Sequence, residues 1–363
     1  LTKNLNFWRE VNHGVKTTYP DAFFVGENFD GHAYHVAPFY EGFDSLFDFY
    51  SYFNVTSAAA HSLNSGVGKG IQNYDGAVTG DSYTANGDSS LSGSKNSIKN
   101  AGNWNLGSVM SAGNQYRTGG TLANSTDGYS FINGAFTSNH DIARAINRVV
   151  GSGSASGVDA QGTVTSSNYD TALKAATCAE IVELMLPGCT WIYYGDELGM
   201  TGNWQNGATA STDGYADLSY RQPMKWKQGG AVGDGSYTTG YAVTGSGTTV
   251  KWDDINSSSK VVSAENAATS DHFLAIQAFA KAKSTTPALI RGTYAAYNWD
   301  GTDNVFNIDR TLNGVTYKII VNLSGSTITS GDDVAQYTPI ASYNGADNKA
   351  KTFLAYSAML MKE

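Results

Sequence analysis

Four short apolar runs, separated by loops and by amphipathic segments, constrain the fold of this chain more than any other feature of its sequence. They lie at 22–25, 43–49, 131–137 and 190–194. Each run is short, mostly apolar and flanked by loop residues, which is typical of parallel strands buried on both faces. Strands that alternate with helices are joined by right-handed crossovers into a parallel sheet. The sequence therefore predicts an α/β fold, and we expect a (β/α) barrel.

Helical spacing of apolar residues predicts helices over 5–18, 173–185 and 274–282, the last two ending near a proline. The chain has only two cysteines, Cys178 within the second helix and Cys189 just after it. A disulfide between them would require the chain to fold back. We therefore favour two buried free thiols.

After about residue 292 the apolar spacing changes to a period of two. Strands are predicted at 295–299, 305–310 and 315–323. Asn313-Gly314 separates the last two, and this dipeptide between alternating runs is a strong hairpin signal. The chain is thus divided into an α/β domain at 1–291 and a small antiparallel β-sandwich domain at 292–363.

Composition limits the class of partner. The formal net charge is −9 and only 15% of the 363 residues are charged, so the chain has no basic face for nucleic acid. No apolar run is long enough to span a membrane. Gly/Ser-rich stretches at 75–97, 151–167 and 229–259 are predicted to be surface insertions. This polar, weakly charged composition is typical of a secreted protein, and a neutral polysaccharide remains open as its ligand.

The first run is followed at once by a carboxylate, in the segment FFVGENFDG at 23–31. Barrel enzymes place their catalytic groups at the carboxyl ends of strands, where Glu27 is expected. Partial burial there would raise the pKa of Glu27 and suit it to protonate a leaving oxygen. Taken alone, Glu27 could equally be a solvated carboxylate in a loop, without a catalytic role.

The third run ends in Asn139-His140-Asp141. A carboxylate at this place can stabilise a positively charged, oxocarbenium-like transition state, and polar side chains can hold sugar hydroxyls. A cap at the start of a helix over 142–149 is the structural alternative. Neither reading is favoured by this triplet alone.

The fourth run leads into Tyr-Tyr-Gly-Asp-Glu at 193–197, and Arg-Gln-Pro-Met-Lys-Trp follows at 221–226. Gly195 permits a sharp exit from the strand. Asp196 and Glu197 could be catalytic, but we favour a structural role in which they fix the loop or pair with Arg221.

Taken in order, these segments and the β domain resemble the alpha-amylase family of retaining glycoside hydrolases. The resemblance identifies the four runs as strands 5–8 of a (β/α)8 TIM barrel. It implies that Glu27 is the general acid/base, that Asp141 stabilises the transition state and that His140 and Asn139 bind sugar. Phe29 and Arg144 are further substrate-binding candidates by the same resemblance, and Trp204, in the loop after the fourth run, is a candidate for stacking on a sugar ring.

The family's first four strands, with the aspartate nucleophile, should precede Leu1 and have no equivalent in this sequence. Retaining hydrolysis requires two carboxyl groups about 5 to 5.5 Å apart, of which this chain offers one. Half a barrel would also leave unpaired strand edges. We therefore expect a fragment whose partner is the N-terminal half-barrel of the same protein.

The resemblance implies endo-hydrolysis of alpha-1,4-glucosidic bonds in starch or malto-oligosaccharides by a secreted or cell-surface enzyme. Two alternatives stay open. One is a neopullulanase, alpha-1,6-glucosidase or glucanotransferase of the same family, and the other is a non-catalytic starch-binding protein. Calcium is a candidate cofactor of the complete protein, while no metal ligands are predicted within this chain.

Overall fold

The computed structural model describes the chain in fourteen segments. These are 5–28, 39, 42–49, 51–52, 55–56, 59–60, 132–151, 162–202, 216–229, 236–237, 242–245, 248–251, 254–296 and 305–363. The predictions for Phe29, for Trp204 and for the 75–97 insertion lie outside the described residues.

A parallel sheet of four strands confirms the α/β prediction. Its strands are β1 (Val25–Gly26), β2 (Ser45–Phe47), β3 (Ile132–Phe136) and β4 (Cys189–Trp191). They lie side by side in chain order, and each predicted apolar run contains or overlaps one of them. Within the described part of the chain the sheet is open, with β1 and β4 at its edges. All four strands therefore present their carboxyl ends on the same side.

Five α-helices have bounds within the described residues, and they include the three that the sequence predicts. They are α1 (Leu5–Thr18), α2 (Ala145–Val149), α3 (Tyr169–Met185), α4 (Asp271–Thr285) and α5 (Pro287–Arg291). The side chain of Ser270 caps α4 by accepting a hydrogen bond from the amide of Phe273. Helix α2 begins three residues later than the predicted helix over 142–149.

Helix α3 lies at the centre of the molecule, because it is buried along most of its length. It packs against α2, α4 and β3 and also against the C-terminal sheet. One hydrophobic core consequently contains residues from all of these elements, among them Ile181, Phe279 and Ile319. Leu198 and Met200, in the loop that follows β4, belong to this core.

The C-terminal region is an antiparallel sheet of five strands. They are β9 (Thr293–Ala296), β10 (Val305–Leu312), β11 (Val315–Asn322), β13 (Thr338–Tyr343) and β15 (Ser357–Lys362). A two-stranded ribbon, β12 (Ile328–Thr329) with β14 (Thr352–Phe353), covers part of one face. Asn313 and Gly314 join β10 to β11 with φ angles of 52° and 77°, so the predicted hairpin is confirmed.

The predicted surface insertion at 229–259 contains paired strands: β7 (Ala242–Gly245) pairs with β8 (Thr248–Lys251) within it, and β5 (Lys227–Gln228) pairs with β6 (Ser236–Tyr237) at its start. The prediction of two buried thiols needs correction. Both cysteines are free, but only Cys178 is buried. Cys189 is exposed because it lies on the edge strand β4.

Candidate active site

Glu27 follows β1 directly and lies at the carboxyl edge of the parallel sheet. Its side chain is half-buried, and Oε1 is shielded from solvent without a hydrogen-bond partner among the described residues. Burial raises the pKa of Glu27 above its ordinary value, and the negative charge of Asp141 raises it further, while His140 acts in the opposite direction. A carboxyl group that holds its proton in this way can act as an acid.

After β3, and two residues beyond its end, Asn139, His140 and Asp141 form a tight turn at the same edge. The amide of Asp141 donates to Oδ1 of Asn139 at 2.8 Å, and Nε2 of His140 lies 3.4 Å from Oδ2 of Asp141. Asn139 is buried, whereas His140 and Asp141 are exposed. Asn139 thus caps a turn rather than α2, and the two exposed side chains face solvent close to Glu27.

Arg221 holds this turn from outside. Its Nη2 donates to Oδ1 of Asp141 at 2.8 Å, and its Nε donates to the carbonyl oxygen of His140 at 2.9 Å. The sequence suggested Asp196 or Glu197 as the partner of Arg221. Arg221 pairs instead with a residue 80 positions away in the chain, and local sequence does not reveal contacts at that separation.

Arg144 is the partner of Asp196. Its Nη1 lies 2.9 Å from Oδ1 of Asp196 and 2.7 Å from the carbonyl oxygen of Tyr194. The guanidinium is fully buried and lies over the ring of Tyr193, 4.8 Å from the ring centroid. Arg144 therefore contacts groups of its own chain and presents no surface to solvent. Its assignment as a substrate-binding residue stays a prediction that this geometry does not favour.

Glu197 fixes the loop after β4, as the sequence suggested. Its Oε2 accepts a hydrogen bond of 2.7 Å from the amide of Gly195, which has a φ of 89°. A side chain at Gly195 would collide with Met200, so glycine is required here. The loop is thereby closed on itself, and Asp196 points inward.

Two negative findings apply to the described residues alone. They contain no group of three or more His, Cys, Asp or Glu side chains that could hold a metal ion. They also contain no helix long and apolar enough to cross a membrane.

Comparison with known proteins decides the family. A family model described as the alpha-amylase catalytic domain matches residues 88–292, which is more than half of the chain. The chain belongs to the alpha-amylase family. The match includes Asn139, His140, Asp141 and Asp196, whereas Glu27 precedes it. Among curated proteins, none matches the sequence.

Solved structures of the alpha-amylase fold resemble nearly the whole chain. Eubacterium rectale Amy13B has a TM-score of 0.61 at 19% identity, over 99% of this chain and 56% of its own. An alpha-amylase from H. orenii has a TM-score of 0.57 at 18% identity, over 99% of this chain and 57% of its own. A mutant trehalose-6-phosphate hydrolase from Bacillus licheniformis has a TM-score of 0.57 at 16% identity, over 99% of this chain and 59% of its own.

At these identities the likeness shows a shared fold. It includes the strand that leads to Glu27, because 99% of this chain is covered. The chain spans less than two thirds of the length of each of these structures. The protein thus has an alpha-amylase-family glycoside hydrolase fold, over somewhat more than half the length of its structural neighbours.

Proposed function

We propose that the protein hydrolyses alpha-1,4-glucosidic bonds in starch or malto-oligosaccharides with retention of configuration, and that Glu27 is its general acid/base. The observation that carries the proposal is the environment of Glu27. Burial and the nearby Asp141 both favour its protonated form. A carboxyl group with a raised pKa at the carboxyl edge of a parallel sheet, near an exposed carboxylate, is the arrangement that glycosidic cleavage needs.

In the first step, the nucleophile attacks the anomeric carbon while Glu27 donates its proton to the glycosidic oxygen, and the bond between that carbon and that oxygen breaks. Asp141 stabilises the positive charge that develops on the sugar ring, and His140 with Asn139 holds sugar hydroxyls. In the second step, Glu27 takes a proton from a water molecule as its oxygen attacks the anomeric carbon and displaces the nucleophile, which releases the sugar with retained configuration. Phe29 and Trp204 are proposed as further sugar contacts.

The nucleophile of the first step is proposed to lie outside these 363 residues, on the N-terminal half of the barrel. Exposed apolar side chains at both edges of the parallel sheet support such a partner. Phe23, just before β1, is 51% exposed and Trp191, in β4, is 38% exposed. Further strands of the same protein would cover these side chains and complete a (β/α)8 barrel.

Location and metal content follow from the same proposal. An extracellular enzyme is proposed because a starch-type polymer cannot enter a cell. Calcium is proposed for the complete protein only, on ligands outside this chain, and no step above uses it.

The test uses the full-length protein with amylose, pullulan and maltotriose as substrates. We expect release of malto-oligosaccharides from amylose and, in E27Q, a loss of turnover of about 100- to 10,000-fold with starch binding preserved. Cleavage of pullulan in preference to amylose would favour a neighbouring specificity. Starch binding without turnover by the wild-type protein would favour the non-catalytic alternative.

A further inference from the structure

One buried carboxylate holds both ends of the loop that carries Asp141. This loop, residues 139–143, is called the Asp141 loop below. Oδ2 of Asp196 accepts a hydrogen bond from Oγ of Ser138, the residue immediately before the loop. Oδ1 of Asp196 accepts from Arg144, the residue immediately after it, at 2.9 Å. The amide of Ala145 adds another hydrogen bond to the same carboxylate.

Asp196 is itself held firmly. Its side chain is 2% exposed and it begins a short 3-10 turn at Asp196–Leu198. Its backbone carbonyl accepts a hydrogen bond of 2.7 Å from Nε2 of His272, on α4. Nδ1 of the same ring lies 2.6 Å from Oγ1 of Thr177, on α3. The carboxylate is thus connected to both central helices of the core.

We propose that Asp196 is a positioning residue, which places the carboxylate of Asp141 relative to Glu27 by fixing Ser138 and Arg144 at the two ends of the Asp141 loop. The inference rests on the proposed function, because Asp141 and Glu27 are given their roles there. Asp196 does not contact the sugar in this account. It acts through the loop.

Geometry explains why a single carboxylate can have this effect. Five residues lie between the two attachment points, and the Asn139–Asp141 turn occupies three of them. A loop that short has little freedom while both ends are fixed. Release of one end allows the backbone of Asp141 to shift, and a displacement of about 1 Å in a catalytic group can reduce turnover about 100-fold.

The experiment compares S138A and D196N with the wild type in the full-length protein. S138A removes one hydrogen bond with little change of volume, and D196N keeps the shape of the side chain but removes its charge. We expect kcat on malto-oligosaccharides to fall about 10- to 100-fold in both variants, with a much smaller change in KM. Hydrogen exchange of the 139–143 amides should become faster, while exchange in β15 stays unchanged.

D309N is the matched control. Asp309 is a mostly buried carboxylate that lies 3.0 Å from Nζ of Lys318 in the antiparallel sheet, far from the loop in the sequence. Its replacement should lower the melting temperature and leave kcat unchanged. A fall in kcat for D309N equal to that for D196N would mean that general destabilisation explains both, and the proposal would be wrong.

The two measurements separate this proposal from the proposed function. Folded S138A and D196N proteins with wild-type kcat would overturn the positioning role while hydrolysis itself stands. If the wild-type protein hydrolyses no glucan, the proposed function fails, and hydrogen exchange alone decides whether Asp196 holds the loop. Unchanged hydrogen exchange at the 139–143 amides in S138A overturns the positioning role of Asp196 in either case. If D196N does not fold, S138A alone provides the test.

Discussion

The guanidinium of Arg221 lies 2.8 Å from the carboxylate of Asp141 and also donates to the carbonyl oxygen of His140. A planar fork of donors can hold two acceptors that keep a fixed separation. Arg221 therefore restrains both the side chain and the backbone of this turn. It does so from the solvent side, since both members of the ion pair are 39% exposed.

Replacement of Arg221 by Lys should separate charge from geometry. R221K keeps the positive charge, but an ammonium group on a flexible stem does not reproduce the two parallel contacts. We expect kcat/KM to fall about 10-fold, with the melting temperature nearly unchanged because an exposed ion pair contributes little to stability. K260Q, which breaks the exposed Lys260–Asp170 pair, is the control. Wild-type kcat/KM in R221K would contradict the account.

The raised pKa of Glu27 predicts a stability difference that depends on pH. Because the folded pKa lies above the unfolded one, the stabilisation from Glu27 is complete below the unfolded pKa and is lost as pH rises through the folded value. E27Q does not titrate. The melting temperature of E27Q should therefore be higher than that of the wild type at about pH 7 and equal to it near pH 4, which calorimetry can measure. In a D141N background the difference should be smaller, and an unchanged difference would argue against the contact with Asp141.

Gly195 and Gly314 form a matched pair for testing the loop after β4. Both have positive φ angles, 89° and 77°, but a Cβ at Gly195 would lie 2.6 Å from Sδ of Met200, whereas at Gly314 it would meet nothing within 4 Å. G314A should reduce the free energy of unfolding by about 1 kcal/mol from backbone strain. G195A should cost a further 1 to 3 kcal/mol, roughly, through overpacking. G195A should also lower kcat, since the added carbon presses on Arg144; denaturant unfolding and kinetics measure the two effects.

His272 predicts a second pH dependence of stability, with the opposite sign. Burial lowers the pKa of His272 to about 4. Stability is therefore complete above the unfolded pKa, about 6.5, and is lost as pH falls towards the folded value. H272Q should flatten the fall in unfolding free energy between about pH 6.5 and pH 4.5. Equal slopes in wild type and H272Q would exclude His272 as the source.

The sequence was most informative where structure is set by near neighbours. The apolar runs predicted all four parallel strands, helical spacing predicted α1, α3 and α4, and Asn313-Gly314 predicted its hairpin. Each of these signals lies within about 20 residues. The paired strands β7 and β8 were missed, because their Thr- and Gly-rich sequences carry too few apolar residues to give a period of two.

The pairing of side chains in the site could not be predicted from local sequence patterns. Asp196 was expected near Arg221, but the chain brings Arg144 to it and Arg221 to Asp141. Both ion pairs depend on which loops meet above the sheet. Ser138 was missed for the same reason, since a serine after a strand is common and only its contact with Asp196 gives it a role.

The role of Glu27 as general acid/base is tested most directly by chemical rescue of E27A in the full-length protein. A glycosyl fluoride needs no protonation of its leaving group, and azide can replace the base-activated water. We predict a loss of about 100- to 10,000-fold on malto-oligosaccharides, a far smaller loss in fluoride release, and azide-dependent formation of an alpha-glycosyl azide. Equal losses on both substrates, with no azide product, would contradict the assignment of Glu27.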